Sequence, residues 1–159
     1  LPHLATSHHQ NCRGSVSGFL GQYRNRLDEK GRVSLPKAFR DAAGSEPLVL
    51  LQWQRPSLAL LPHAVWAEVS QRLLEFRRSG AEANTHILRI AANATQITPD
   101  KQGRILIPQW LQEAANLDGD VLMVGALDRV ALWNPDAFEA AVPSEGSADF
   151  DRFAHQIFG

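Results

Sequence analysis

The chain has 159 residues, of which 44% are hydrophobic and 21% charged, and its net charge is −1. This length suits one compact domain or two small ones, and the composition is that of an ordinary globular protein. No apolar run is long enough for a membrane helix, and the single cysteine, Cys12, excludes an intramolecular disulfide and fits a reducing cytoplasm.

The small net charge hides an asymmetry. Residues 1–90 carry 12 Lys+Arg against 7 Asp+Glu, whereas residues 91–159 carry 4 against 10. The basic excess is densest at Arg24, Arg26, Lys30, Arg32, Lys37 and Arg40. Such a bias fits either an anionic partner for the first half or a solvated charged face.

In chain order, residues 1–17 lack periodicity and contain no long apolar stretch, so they are not expected to be an intact signal peptide. They are expected to be a flexible extension; a leader remnant, an added segment and a misplaced start are the readings left open. His8-His9, beside His3, is the only close histidine pair and lies in this stretch, so no metal site is expected. Residues 19–27 predict a strand. Asp28 to Gly31 follow the type I turn preference, with Asp first and Gly fourth. Arg32-Val33-Ser34-Leu35 alternates as a strand, with Arg32 and Ser34 on the face opposite Val33 and Leu35. Pro36 opens a helix that stops at Gly44. Leu48 to Trp53 and Leu58 to Leu61 predict two strands. Pro62 opens a longer helix in which Trp66, Val69, Leu73 and Phe76 are spaced as a core face. A buried connecting helix carrying Ile87, Leu88, Ile90 and Ala91 follows.

The order then repeats. Thr95 to Thr98 enters, Asp100 to Gly103 turns, and Arg104 to Ile107 leaves. Pro108 starts a helix, Val121 to Gly125 and Arg129 to Trp133 form a strand pair, and Pro135 opens a last helix of the unit. Landmarks recur 72 residues on: Pro36 as Pro108, Ala42-Ala43 as Ala114-Ala115, Val49-Leu50 as Val121-Leu122, Ala59-Leu60 as Ala131-Leu132. One structural unit, β-turn-β-α-β-β-α, is therefore built twice. The expected organisation is an extension over 1–17, a first unit over 18–80, a connecting helix over 81–92, a second unit over 93–142 and a tail over 143–159 with Phe150, Phe153 and Ile157 as an amphipathic face. Units of this size bury too little surface alone, so a shared core or oligomerisation is expected.

The chemistry concentrates at the repeated Asp-x-x-x-Arg. Arg32 follows a tight turn, and its planar, permanently charged guanidinium suits phosphate oxygens or the O6/N7 edge of guanine. A hairpin ribbon is narrow enough to enter a major groove. Asp28 also stands where it can pair with Arg32 internally; such a pair braces the turn, and can aim the arginine outward as well. No phosphate-binding glycine loop, metal spacing or nucleophile motif is present, so neither enzymatic activity, a cofactor nor a small-molecule substrate is expected.

Phe19-Leu20-Gly21-Gln22-Tyr23 with Leu27-Asp28-Glu29-Lys30-Gly31-Arg32-Val33-Ser34-Leu35-Pro36 resembles the opening of the MraZ family, and Asp100-Lys101-Gln102-Gly103-Arg104-Ile105-Leu106-Ile107-Pro108 continues the likeness. The resemblance implies an α+β fold of two tandem AbrB-like swapped-hairpin β-barrel units with pseudo-two-fold symmetry. It also implies a cytoplasmic, nucleoid-associated regulator, chiefly a repressor, of the bacterial division and cell-wall gene cluster. As a ring homo-oligomer, such a protein binds short direct repeats of double-stranded DNA upstream of its own gene. The family's pairs fall on Asp28 and Arg32 and on Asp100 and Arg104, and its lysine on Lys30; Arg24 and Arg26 are expected to support them. An AbrB-like antitoxin, with one barrel and a disordered toxin-binding tail, and a scaffold that reads no DNA are the alternatives. Because Gln102 stands where the first motif has Lys30, the second turn is expected to be less positive and mainly to complete the barrel.

Overall fold

The computed structural model describes residues 18–159; Cys12, His3, His8 and His9, and the expected extension lie outside them. The first unit comprises β1 (Gln22–Arg26), β2 (Arg32–Ser34), α1 (Lys37–Ala43), β3 (Leu48–Leu51), β4 (Leu58–Leu61) and α2 (His63–Arg77). After α3 (Ala81–Ala92), the second runs β5 (Ala94–Ile97), β6 (Arg104–Leu106), α4 (Gln109–Ala114), β7 (Asp120–Gly125), β8 (Val130–Trp133) and α5 (Pro135–Ala141), followed by α6 (Ala148–Phe158).

The two units interlace. A six-stranded antiparallel sheet runs β1-β7-β8-β4-β3-β5, and a second, two-stranded sheet pairs β2 with β6. β1 therefore joins the second unit's strands and β5 the first unit's, a swap that reads the same from either edge of the sheet. The turn at Asp28 closes locally, but β1 and β2 form no ladder with each other. The expected β1–β2 hairpin ribbon is replaced by the β2–β6 ribbon, one strand from each unit. Strands of three residues cannot hide their apolar face as an isolated hairpin; paired across the units, Val33 and Ile105 lie opposite each other and are both almost fully buried.

One core results. Val33, Leu35, Phe39 and Leu50 pack in the same cluster as Ile105, Ile107, Leu111 and Met123. Buried Gln52 ties the halves as well, its Nε2 donating to the carbonyl of Ala114 at 3.1 Å. The equivalence between units is not a constant 72. Leu48 pairs with Ile97, and it is Val121 that pairs with Asn25, 72 residues before Ile97. Across β7 the offset is thus 73, so Leu50 corresponds to Met123, and the matching Val49-Leu50 and Val121-Leu122 are out of register by one. The extra residue lies between Asn116 and β7. Asn116 (φ 51°) follows α4 at a positive φ, as Gly44 (φ 76°) does after α1, and three residues then lead to Leu48 but four to Val121. The shift is absorbed by a β7–β8 connection one residue shorter, because Leu58 again matches Val130.

A second, smaller cluster lies on the other face of β3 and β4, where Val65, Trp66, Val69 and Ile90 cover Val49, Leu51 and Leu61. The expectation that α2 buries Trp66, Val69, Leu73 and Phe76 alike is corrected: Phe76 is 65% exposed and no residue of α2 is fully buried. A helix of 15 residues spans about 22 Å, whereas four-residue strands span about 13 Å, so its last turns overrun the sheet. In α3 only Ile87 is buried and Leu88 is exposed. No helix among the described residues is long and apolar enough to cross a membrane.

Candidate functional site

The two Asp-x-x-x-Arg turns have one hydrogen-bond plan. The Asp28 amide donates to the Arg32 carbonyl at 2.8 Å, and the Gly31 amide to the Asp28 carbonyl at 3.1 Å. The equivalent bonds at Asp100 and Gly103 are both 2.9 Å. The Asp28 carboxylate accepts from the amides of Lys30 (2.9 Å) and Arg32 (2.8 Å) through Oδ1, and from Arg32 Nε (2.8 Å) through Oδ2. Asp100 accepts from Gln102 (2.9 Å), Arg104 (3.0 Å) and Arg104 Nε (2.9 Å) in the same way. Glycine is required at both fourth positions, since Gly31 and Gly103 have φ of 80° and 76°. Bonding to the ionised form lowers the pKa of both aspartates: the backbone amides of Arg32 and Arg104 are the largest cause, and the paired guanidinium groups add to it.

The internal pairing read from the sequence is therefore real, and it orients the arginines. Among the described residues, the terminal nitrogens of Arg32 and Arg104 make no hydrogen bond, because each guanidinium is held through Nε alone. In the β2–β6 ribbon Arg32 lies opposite Leu106 and Arg104 opposite Ser34. Period-two alternation puts all four on the face opposite buried Val33 and Ile105. Arg32 and Arg104 are diagonal neighbours there, a relation that sets Cα atoms about 7–8 Å apart. Each unit thus contributes one braced arginine to a single ribbon face, with Lys30 and Lys101 exposed at the turns.

The units also reach into each other's turns. The Leu35 amide donates to the Gly103 carbonyl at 2.9 Å, and the Ile107 amide to the Gly31 carbonyl at 2.8 Å. Arg40, on α1, donates through Nε to the Leu35 carbonyl at 3.1 Å. Its Nη1 lies 2.6 Å from where a Cβ on Gly103 would stand. Gln112, its equivalent on α4, donates to the Ile107 carbonyl at 2.7 Å and covers Gly31.

The other expected residues do not join this face. Arg24 bonds Asp120 at 2.9 Å across β1–β7, and lines a cleft with Asp136 and Glu139. Arg26 lines a cleft beside the first turn with Asp28, Glu29 and Asp118. Sequence reasoning passed over two residues. Lys101 replaces Glu29, so the second turn is not the less positive one, and this was visible in the repeat alignment. Arg40 was visible only as part of a basic run; its place over the other unit's turn has no local signal. No cluster of three or more His, Cys, Asp or Glu side chains suited to a metal ion occurs among the described residues.

A family model described as "MraZ protein, putative antitoxin-like" matches twice, over residues 19–89 and 90–156. A protein of Desulforamulus reducens named transcriptional regulator MraZ is 32% identical over 139 residues, covering 87% of this chain and 96% of that protein. Namesakes from Bifidobacterium longum (35% identical; 82% of this chain, 87% of that protein) and Mycobacterium bovis (36%; 76% and 84%) are similar to it as well. The two matched segments divide the chain between the interlaced units, and each contains one braced Asp-x-x-x-Arg turn. With both copies present and the likeness spanning nearly the whole described structure, this chain belongs to the MraZ family.

Proposed function

We propose that the chain is a transcriptional regulator that binds duplex DNA through the β2–β6 ribbon. The carrying observation is that Arg32 and Arg104 stand together on one exposed ribbon face, each held through Nε by its own aspartate. This leaves the outer nitrogens of each fork for phosphate or a guanine edge, and preorganisation reduces the ordering cost of binding. One arginine reading a base in bidentate fashion contributes about 1–3 kcal/mol of discrimination. Lys30 and Lys101 meet phosphate in this reading, Arg26 lines the cleft beside the first turn, and Arg24 is engaged by Asp120.

The names of the relatives support regulation of transcription. The target proposed is a set of short direct repeats upstream of the protein's own gene, within the division and cell-wall cluster, acting chiefly in repression on nucleoid DNA in the cytoplasm. Ring assembly is supported by apolar side chains left exposed: Leu74 and Phe76 on α2, Leu88 on α3, and Phe150, Phe153 and Ile157 on α6. Exposed apolar surface of this kind fits burial against further copies. Several modest contacts on one assembly gain affinity through effective concentration, which offsets the near-neutral charge.

A footprint on the upstream DNA, with gel shifts of Arg32→Ala and Arg104→Ala, tests this reading. Protected, regularly spaced repeats, lost in either variant while sedimentation is unchanged, are expected. Sequence-independent, salt-sensitive association alone would instead favour a scaffold that reads no DNA.

A further inference from the structure

We infer that Arg40 belongs to the second unit's turn, where it supplies a third cation for DNA phosphate and makes this turn, rather than the one at Asp28, the more strongly phosphate-binding of the two. The inference rests on the DNA-binding reading above and assigns it unequal halves.

The charges run against the bias of the half-chains. Asp28, Glu29, Lys30 and Arg32 balance to zero, whereas Asp100, Lys101 and Arg104 leave one positive charge. The tertiary structure widens this difference. Arg40 crosses from the first unit to lie on Gly103, immediately before Arg104, while neutral Gln112 occupies the same position over Gly31. Arg40 is fixed through Nε on the Leu35 carbonyl. Among the described residues it has neither a carboxylate partner nor a bond from its terminal nitrogens, so its charge is directed at the turn surface. Lys101, Arg104 and Arg40 thus converge on one turn, against Lys30 and Arg32 on the other, where Glu29 and nearby Asp118 oppose an anion. The phosphodiester backbone is the fitting partner, because three cations at one turn attract phosphate whatever the base sequence.

The protein's own repeat provides the test. Gln112 shows that glutamine at this position can bond the carbonyl and cover the glycine, so Arg40→Gln removes the charge and keeps the local plan. The full chain is titrated with duplex DNA from upstream of its gene, by anisotropy, over a series of salt concentrations. Loss of one phosphate contact reduces the slope of log K against log salt by about 0.9 for each protomer engaged. Arg40→Gln is expected to show this decrease with an unchanged melting temperature. Arg40→Lys is expected to retain the wild-type slope. Normal DNA binding with an unaltered slope in Arg40→Gln overturns the inference, as does a lowered melting temperature with no change in slope. Should Arg40→Gln fail to fold, Arg40→Met decides in its place: a shallower slope supports the inference and an unaltered one overturns it. A wild-type chain that binds no DNA overturns the DNA-binding reading itself, so the two failures are distinguishable.

Discussion

The turn at Asp28 and the turn at Asp100 are built alike and charged differently. Their carboxylate–amide and carboxylate–guanidinium bonds agree to within 0.2 Å. Both use glycine at the same positive-φ position, and in both the carbonyl of that glycine accepts from an amide of the opposite unit. The residues that differ are those whose side chains do not bond the turn aspartate: Glu29 against Lys101, Lys30 against Gln102, and the covering side chains Gln112 against Arg40. A duplicated unit can vary its surface charge freely so long as the aspartate, glycine and arginine that close the turn remain. Shape is shared by the two copies, and affinity for an anion is where they part.

The largest effect expected is on the shared core. Leu50→Ala and Met123→Ala, at positions equivalent under the offset of 73, should each destabilise the fold by about 2–5 kcal/mol in urea melts. Each should give one transition for the whole chain, because both side chains lie in the same cluster. Separate transitions for the two halves would break the picture of one interlaced core.

A smaller and unequal effect is expected at the turns. Alanine at either glycine meets a left-handed strain of about 1–2 kcal/mol. At Gly31 the new methyl meets the Gln112 amide and also a backbone group, the Ile107 carbonyl, 3.0 Å from the Cβ position, whereas at Gly103 the three nearest atoms all belong to the Arg40 guanidinium. Gly31→Ala should therefore lower the melting temperature more than Gly103→Ala. The reverse order would show that the Nε bond to the Leu35 carbonyl holds Arg40 more firmly than the backbone at Ile107 is held.

The smallest effect concerns acid. Both turn aspartates have pKa values below the ordinary 3.8, so the folded state favours their ionised form. Their contribution is fully present above pH 4 or so, and is lost as the pH falls through the lowered folded values. Asp28→Asn and Asp100→Asn should flatten the acid limb of a stability–pH profile by similar amounts, since the bonds are the same in both. A clearly larger change at one turn would expose a difference that the hydrogen-bond distances do not contain.

Much of this was legible in the chain. The Asp-x-x-Gly turn, the prolines that precede α1, α2 and α4, and the alternation of Arg32-Val33-Ser34-Leu35 are local signals, and each produced the expected element because neighbouring residues settle turn and strand geometry. Strand partners were not legible from those signals. Nothing within residues 19–35 says that β1 pairs with β7 and β2 with β6 rather than with each other, because both pairings use the same backbone groups. The mistaken match of Val49-Leu50 to Val121-Leu122 has a related cause: apolar strands of similar composition align equally well one residue apart, and only cross-strand pairing reveals the shift. The exposure of Phe76 followed from the short strands beneath α2, which helical spacing cannot report.

Sequence alone was enough to establish the duplication, the two tight turns and the identity of the arginines after them, since each turn depends on residues within a few positions of one another. Folding in three dimensions brought Arg32 and Arg104 onto one ribbon, withdrew Arg24 toward Asp120, and carried Arg40 from the basic half of the chain to a turn in the acidic half. The physical reason is that charge acts over distance in space and burial is shared between units. The electrostatic character of each turn therefore depends on what the other unit lays across it.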